Sequence, residues 1–72
     1  MTLTKTQKKY YNYIKKFIQR NGYSPTEREI QKHFKRAPVT VRGALTILQK
    51  KGYISRIPKK ARTITLIGEK NV

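Results

Sequence analysis

Apolar positions recur at helical spacing through the first third of the chain. Tyr10, Tyr11, Ile14, Phe17 and Ile18 fall at i, i+3, i+4 and i+7 steps, with mostly Lys, Asn and Gln between them. Thr4 stands three residues before Gln7, the spacing of a capping box. Gly22 is the residue type that closes a helix in the left-handed conformation. The pattern predicts a first helix from about Lys5 to Asn21. A second start signal follows at once. Pro25 precedes Thr26, and Glu29 lies three residues beyond it, another capping box. Glu27 and Glu29 put negative charge in the first turn, where the helix dipole favours it. Ile30 and Phe34 are apolar anchors at i and i+4, so a short second helix is predicted from about Glu27 to Phe34.

The next stretch, "KRAPVTVRGAL", is ambiguous by propensity alone. Val39, Thr40 and Val41 favour a strand, and Pro38 and Gly43 break either element. Side-chain periodicity resolves it. Val41, Leu45 and Leu48 fall at i, i+4 and i+7 with Ala44 beside them, which is one face of a helix. A strand would leave no continuous apolar face. Pro38 suits a first helical turn, where its missing N–H costs nothing. Gly52 after Lys50 and Lys51 makes a C-terminal stop. A third helix is therefore predicted from about Pro38 to Lys51. Only Lys35, Arg36 and Ala37 separate it from the second, the connection length of a helix-turn-helix.

Beyond Gly52 the period shortens. "YISRIP" and "TITLI" are β-branched runs separated by "KKAR", and Ile64 and Leu66 alternate with Thr63 and Thr65. They predict a β-hairpin with a basic tip containing Pro58, Lys59, Lys60 and Arg62. Residues Gly68 to Val72 read as a frayed tail, which leaves residues 1–67 as the folded domain. The expected fold is mainly α with a small β-hairpin: a winged helix-turn-helix of three helices plus a two-stranded wing.

Composition narrows what such a fold does. The chain has 72 residues and no Cys, so its core rests on apolar packing without disulfides or thiolate metal sites. It has no apolar run long enough to span a bilayer and no signal-peptide segment, which leads us to expect a cytoplasmic, nucleoid-associated protein without membrane contact. Lys and Arg number 18 against three acids, giving a net charge of +15. A surplus of this size repels itself unless a polyanion offsets it, and nucleic acid is the expected partner. Chemistry is poorly supplied. The acids are Glu27, Glu29 and Glu69, the one histidine is His33, and no Gly-rich phosphate loop occurs. General acid–base or metal-assisted catalysis needs convergent carboxylates or imidazoles. We therefore expect a binding protein, not an enzyme, with no cofactor and no metal.

In a helix-turn-helix the second helix of the motif enters the major groove with its N-terminal part. The outward positions there are Val39, Thr40, Arg42, Gly43 and Thr46, the candidate base-reading set. Arg42 can pair bidentately with guanine, Thr40 can bond to a base edge, and Val39 can meet a thymine methyl. Gly43 would allow close approach, although close packing against another helix would explain it too. Arg42 could equally hold a phosphate. Candidate phosphate contacts are Thr26 with the amides that open the second helix, then Arg28, Lys32, Lys35 and Arg36. Lys50 and, on the wing tip, Lys59, Lys60 and Arg62 complete that set.

These residues resemble a known family, the N-terminal DNA-binding domain of LexA-type SOS repressors. "LTKTQ", "NGYSPTEREI", "TVRGALTILQKKGYISR" and "KKARTITLI" carry the resemblance from Leu3 to Ile67. It implies a winged helix on operator DNA, with Val39, Thr40, Arg42 and Gly43 at the family's base-reading positions. Two departures stand out. The turn "KRAP" is one residue shorter than usual and lacks a Gly. The family's self-cleaving dimerisation half has no counterpart in the sequence, so neither self-cleavage nor its dimer route is carried over. The expected function is sequence-specific repression through duplex DNA, with dimerisation on DNA open. The alternative is a general or single-stranded nucleic-acid binder serving replication or transfer of a mobile genetic element, in which Tyr13 and Phe17 would stack on bases. A third is a protein adaptor docking through the first helix.

Overall fold

The structure is a computed structural model, and it describes residues 3–57, 60 and 62–67. Helix α1 spans Lys5–Asn21, α2 Glu27–Phe34 and α3 Pro38–Lys50, followed by strands β1 (Ile54–Ser55) and β2 (Thr65–Leu66). The first two helices start as their sequences dictate. Thr4 Oγ1 accepts the Gln7 amide at 3.2 Å, and Gln7 Oε1 accepts the Thr4 amide at 3.0 Å. Thr26 and Glu29 repeat the exchange at 3.1 and 2.9 Å. Each box satisfies two amides that a helix start otherwise leaves without partners. Gly22 ends α1 at φ 79°, donating its N–H to Ile18 O at 2.8 Å. At the end of α2 the left-handed position falls on Lys35, at φ 55°. A side chain there costs about 1 kcal/mol or more relative to glycine. This is how the turn forms without the family's Gly.

Helix α3 stops at Lys50, one residue before the predicted end. Lys51 keeps a right-handed backbone and Gly52, at φ 83°, makes the reversal. The strands are antiparallel, with Ile54 opposite Leu66 and Ser55 opposite Thr65. They are shorter than "YISRIP" and "TITLI" suggested, because toward the tip side chains take the place of the ladder. Ile57 N donates to Thr63 Oγ1 at 3.0 Å, and Ile64 N donates to the buried Ser24 hydroxyl at 3.2 Å. The predicted tip residues Pro58 and Lys59 and the predicted tail lie outside the described residues.

One apolar core joins all of these elements. Tyr10, Tyr11 and Ile14 from α1 meet Ile30 from α2 and Val41, Leu45 and Leu48 from α3. Leu3, Ile54 and Ile64 close its ends. Val41, Leu45 and Leu48 have no exposed surface. Fully burying a side chain of this size stabilises the fold by about 1.5–3 kcal/mol. That packing holds a helix whose sequence has weak helix propensity. Phe17 and Ile18, which share the apolar period of α1, lie at the core's margin and are half-buried.

Candidate nucleic-acid interface

Because the core side of α3 is fully used, its other side has to face solvent. Val39 is 75% exposed, and Thr40, Arg42, Gly43 and Thr46 are exposed with it. A Cβ placed on Gly43 would meet nothing within 4 Å. Packing against a neighbouring helix therefore does not explain this glycine. The five predicted base-reading residues share one open face, and α3 carries no side-chain cap over its first amides.

The wall beside this face is built from the start of α2 and from the wing, and two glutamates organise it. Glu27 accepts from Arg42 Nε at 3.2 Å and from Arg56 Nη1 at 2.7 Å. Arg56 also donates through Nε to Gln49 Oε1 and through Nη2 to Thr46 Oγ1, each at 3.3 Å. It thereby ties the wing to both helices of the helix-turn-helix. Its importance was not apparent from the sequence, where it is one arginine inside a β-branched run. The available signal was its place just after the first wing strand, which packs against α3.

Glu29 anchors the second tie. Arg62 donates to both of its oxygens at 3.2 Å, and to Ser24 O at 3.1 Å. The guanidinium also lies 4.6 Å from the centre of the Tyr23 ring. Arg62 was predicted on the wing tip, reaching outward. It folds back onto Glu29 and the Tyr23 ring from a left-handed backbone at φ 57°, with its side chain still 40% exposed. The Thr26 backbone hydrogen bond, then the Arg62 pair, hold the Glu29 carboxyl below its ordinary pKa, while burial opposes them.

The remaining predicted phosphate contacts are more open. Arg28, Lys32, Lys35, Arg36, Lys50 and Lys60 are exposed, along α2, the turn, the end of α3 and the wing. Lys59 lies outside the described residues. Thr26 Oγ1 already accepts the Glu29 amide, which leaves its hydroxyl hydrogen to offer to an anion.

The aromatic surplus is placed by packing. Tyr13 stacks on His33 with ring centres 4.2 Å apart and meets Phe34 edge-on at 5.5 Å. Tyr10 lies 4.3 Å from Phe34, and Phe17 meets Tyr23 at 5.8 Å. The rings cover the seam between α1 and α2 by facing one another. Burial, and secondarily the Glu29 charge, push the Tyr13 phenol pKa up, so it stays protonated at neutral pH. Among the described residues no cluster of His, Cys, Asp or Glu could hold a metal ion. No helix among them is long and apolar enough to cross a membrane.

Three helices, a three-residue turn and a two-stranded wing, with an exposed outer face on the third helix, define a winged helix-turn-helix domain of the DNA-binding class. The chain belongs to the LexA DNA binding domain family, which it matches over residues 1–63. It is 49% identical over 65 residues to the LexA repressor of Thermosipho melanesiensis, which covers 90% of this chain and 33% of that protein. The LexA repressor of Thermosipho africanus is 48% identical over 65 residues, with the same 90% and 33% coverage. That of Staphylococcus epidermidis is 47% identical over 68 residues, covering 93% of this chain and 33% of the relative. The chain thus spans about a third of the length of these relatives. The family is named for binding to DNA.

Proposed function

We propose that this chain binds duplex DNA sequence-specifically and acts as a transcriptional repressor on the bacterial nucleoid, with α3 in the major groove. The observation that carries this is the outer face of α3. Val39, Thr40, Arg42 and Gly43 are exposed there, on a helix anchored by three fully buried residues. Rigid anchoring with a free outer face suits base readout, because discrimination needs donors held in place. The exposed cations around it suit the phosphate backbone. The relatives are named LexA repressor, which favours repression as the outcome. The aromatic residues that could serve single strands are engaged with one another, which favours duplex DNA.

The deciding experiment is selection from a random DNA library at physiological salt, with duplex and single-stranded arms in parallel. We expect a duplex consensus bound at least about a thousandfold more tightly than random duplex. A ratio near one, or enrichment in the single-stranded arm alone, would refute this function. Sedimentation of the chain on the selected duplex then counts the copies bound.

A further inference from the structure

The carboxylate of Glu27 lies where three elements meet. It stands at the first position of α2, and it is reached by Arg42 from α3 and by Arg56 from just beyond β1. The two arginines use it differently. Arg56 is engaged through all three of its nitrogens, on Glu27, Gln49 and Thr46, and its side chain is only 18% exposed. Arg42 gives Glu27 its Nε alone, and its side chain is 65% exposed. Among the described residues neither Nη of Arg42 has a hydrogen-bond partner.

That division has a chemical consequence. A guanidinium can present two parallel N–H groups side-on, through Nε and one Nη, or end-on, through both Nη atoms. Glu27 occupies Nε and so removes the side-on edge. The end-on edge remains, with the two-donor geometry that fits guanine O6 and N7. Glu27 is also one of only three acids in a chain of net charge +15, yet it sits on the face a polyanion would approach. The capping box of α2 does not need it, since Glu29 fills that role. A carboxylate there repels phosphate, so it weakens contact with any backbone whatever its sequence.

We propose that Glu27 is a specificity-determining positioning residue. It holds Arg42 with its end-on edge presented to a guanine in the major groove, and its charge lowers affinity for DNA in general. The proposal rests on α3 being the base-reading helix, and the experiment separates the two. The full chain is first used to select a duplex. Dissociation constants are then measured on that duplex, on its single-base variants and on random duplex, for wild type, R42A, E27A and E27Q. Circular dichroism monitors the fold of each variant.

R42A should abolish discrimination at one guanine. E27A should lower discrimination at that same guanine by about tenfold while tightening binding to random duplex about two- to fivefold. E27Q keeps an acceptor for Nε but not the charge. It should retain more of the discrimination than E27A and tighten random binding equally, and it serves in place of E27A if that variant does not fold. Opposite signs on the two readouts would not arise from a structural role alone. If the Glu27 variants tighten binding to every duplex by one factor, with discrimination unchanged, the proposal is wrong and the base-reading helix stands. If R42A keeps full discrimination at every position, the role of Arg42 falls first and the proposal falls with it.

Discussion

Helices α2 and α3 are neighbours in chain and space, and they are held in opposite ways. α2 has a complete capping box, two acids in its first turn and Lys32 and His33 in its last. Its one fully buried apolar residue is Ile30. α3 begins at Pro38 after Ala37, which provides no side-chain cap, and its first turns are Pro, Val, Thr, Val, Arg and Gly. It buries Val41, Leu45 and Leu48 completely. One helix is specified locally, and the other is imposed by the core. The second arrangement leaves its outer residues free of any duty to the core, and those are the residues we propose to meet DNA.

The largest effect should come from cutting the core tie of α3. Leu45→Ala removes a fully buried side chain and should cost about 2–5 kcal/mol, most of the stability of so small a domain. Urea denaturation followed by circular dichroism measures this. A mild loss, under about 1 kcal/mol, would mean that α3 stands without its packing, and the contrast would fail. Next comes the local device of α2. Thr26→Ala deletes the cap hydroxyl and should cost about 1 kcal/mol in the same assay.

Gly43→Ala sharpens the comparison by splitting stability from binding. The added methyl meets open space in the free protein, so the helix should gain about 0.5–1 kcal/mol. The same methyl would stand between α3 and the groove floor, so affinity for the selected duplex should fall. A rise in both quantities would show that the glycine does not serve close approach.

The smallest effect concerns Glu29. Its folded pKa lies below its ordinary value of 4.5, so its pairing contributes stability above the carboxylate range. That contribution is lost as pH falls through the folded value. Thermal melts of wild type and E29Q, run from neutrality down to about pH 2, should converge on the acid side. A constant gap across the whole range would place the stabilisation elsewhere.

The starts of α1 and α2 were legible because a capping box spans four consecutive residues and needs nothing distant. The helical state of α3 was legible from its apolar period. The outer-face candidates Val39, Thr40, Arg42, Gly43 and Thr46 followed from that same period. Arg56 was not legible, because its partners Glu27 and Thr46 lie 29 and 10 positions away. The pairing of Arg62 was not legible for the same reason, with Glu29 33 positions distant.

By itself, then, the sequence determined where the helices lie, which side of each is apolar, and that the surface is strongly cationic. These follow from spacing and composition, which act over a few residues. Only the tertiary structure decided which cations stand open and which are committed to an acid. It put only the Nε of a largely exposed Arg42 on Glu27 but engaged every nitrogen of Arg56, and it showed that Gly43 has empty space before it. Those outcomes depend on where a carboxylate from α2 comes to rest once the core has closed. Hydrogen bonds and Coulomb forces then choose partners by distance in space, which position along the chain does not encode.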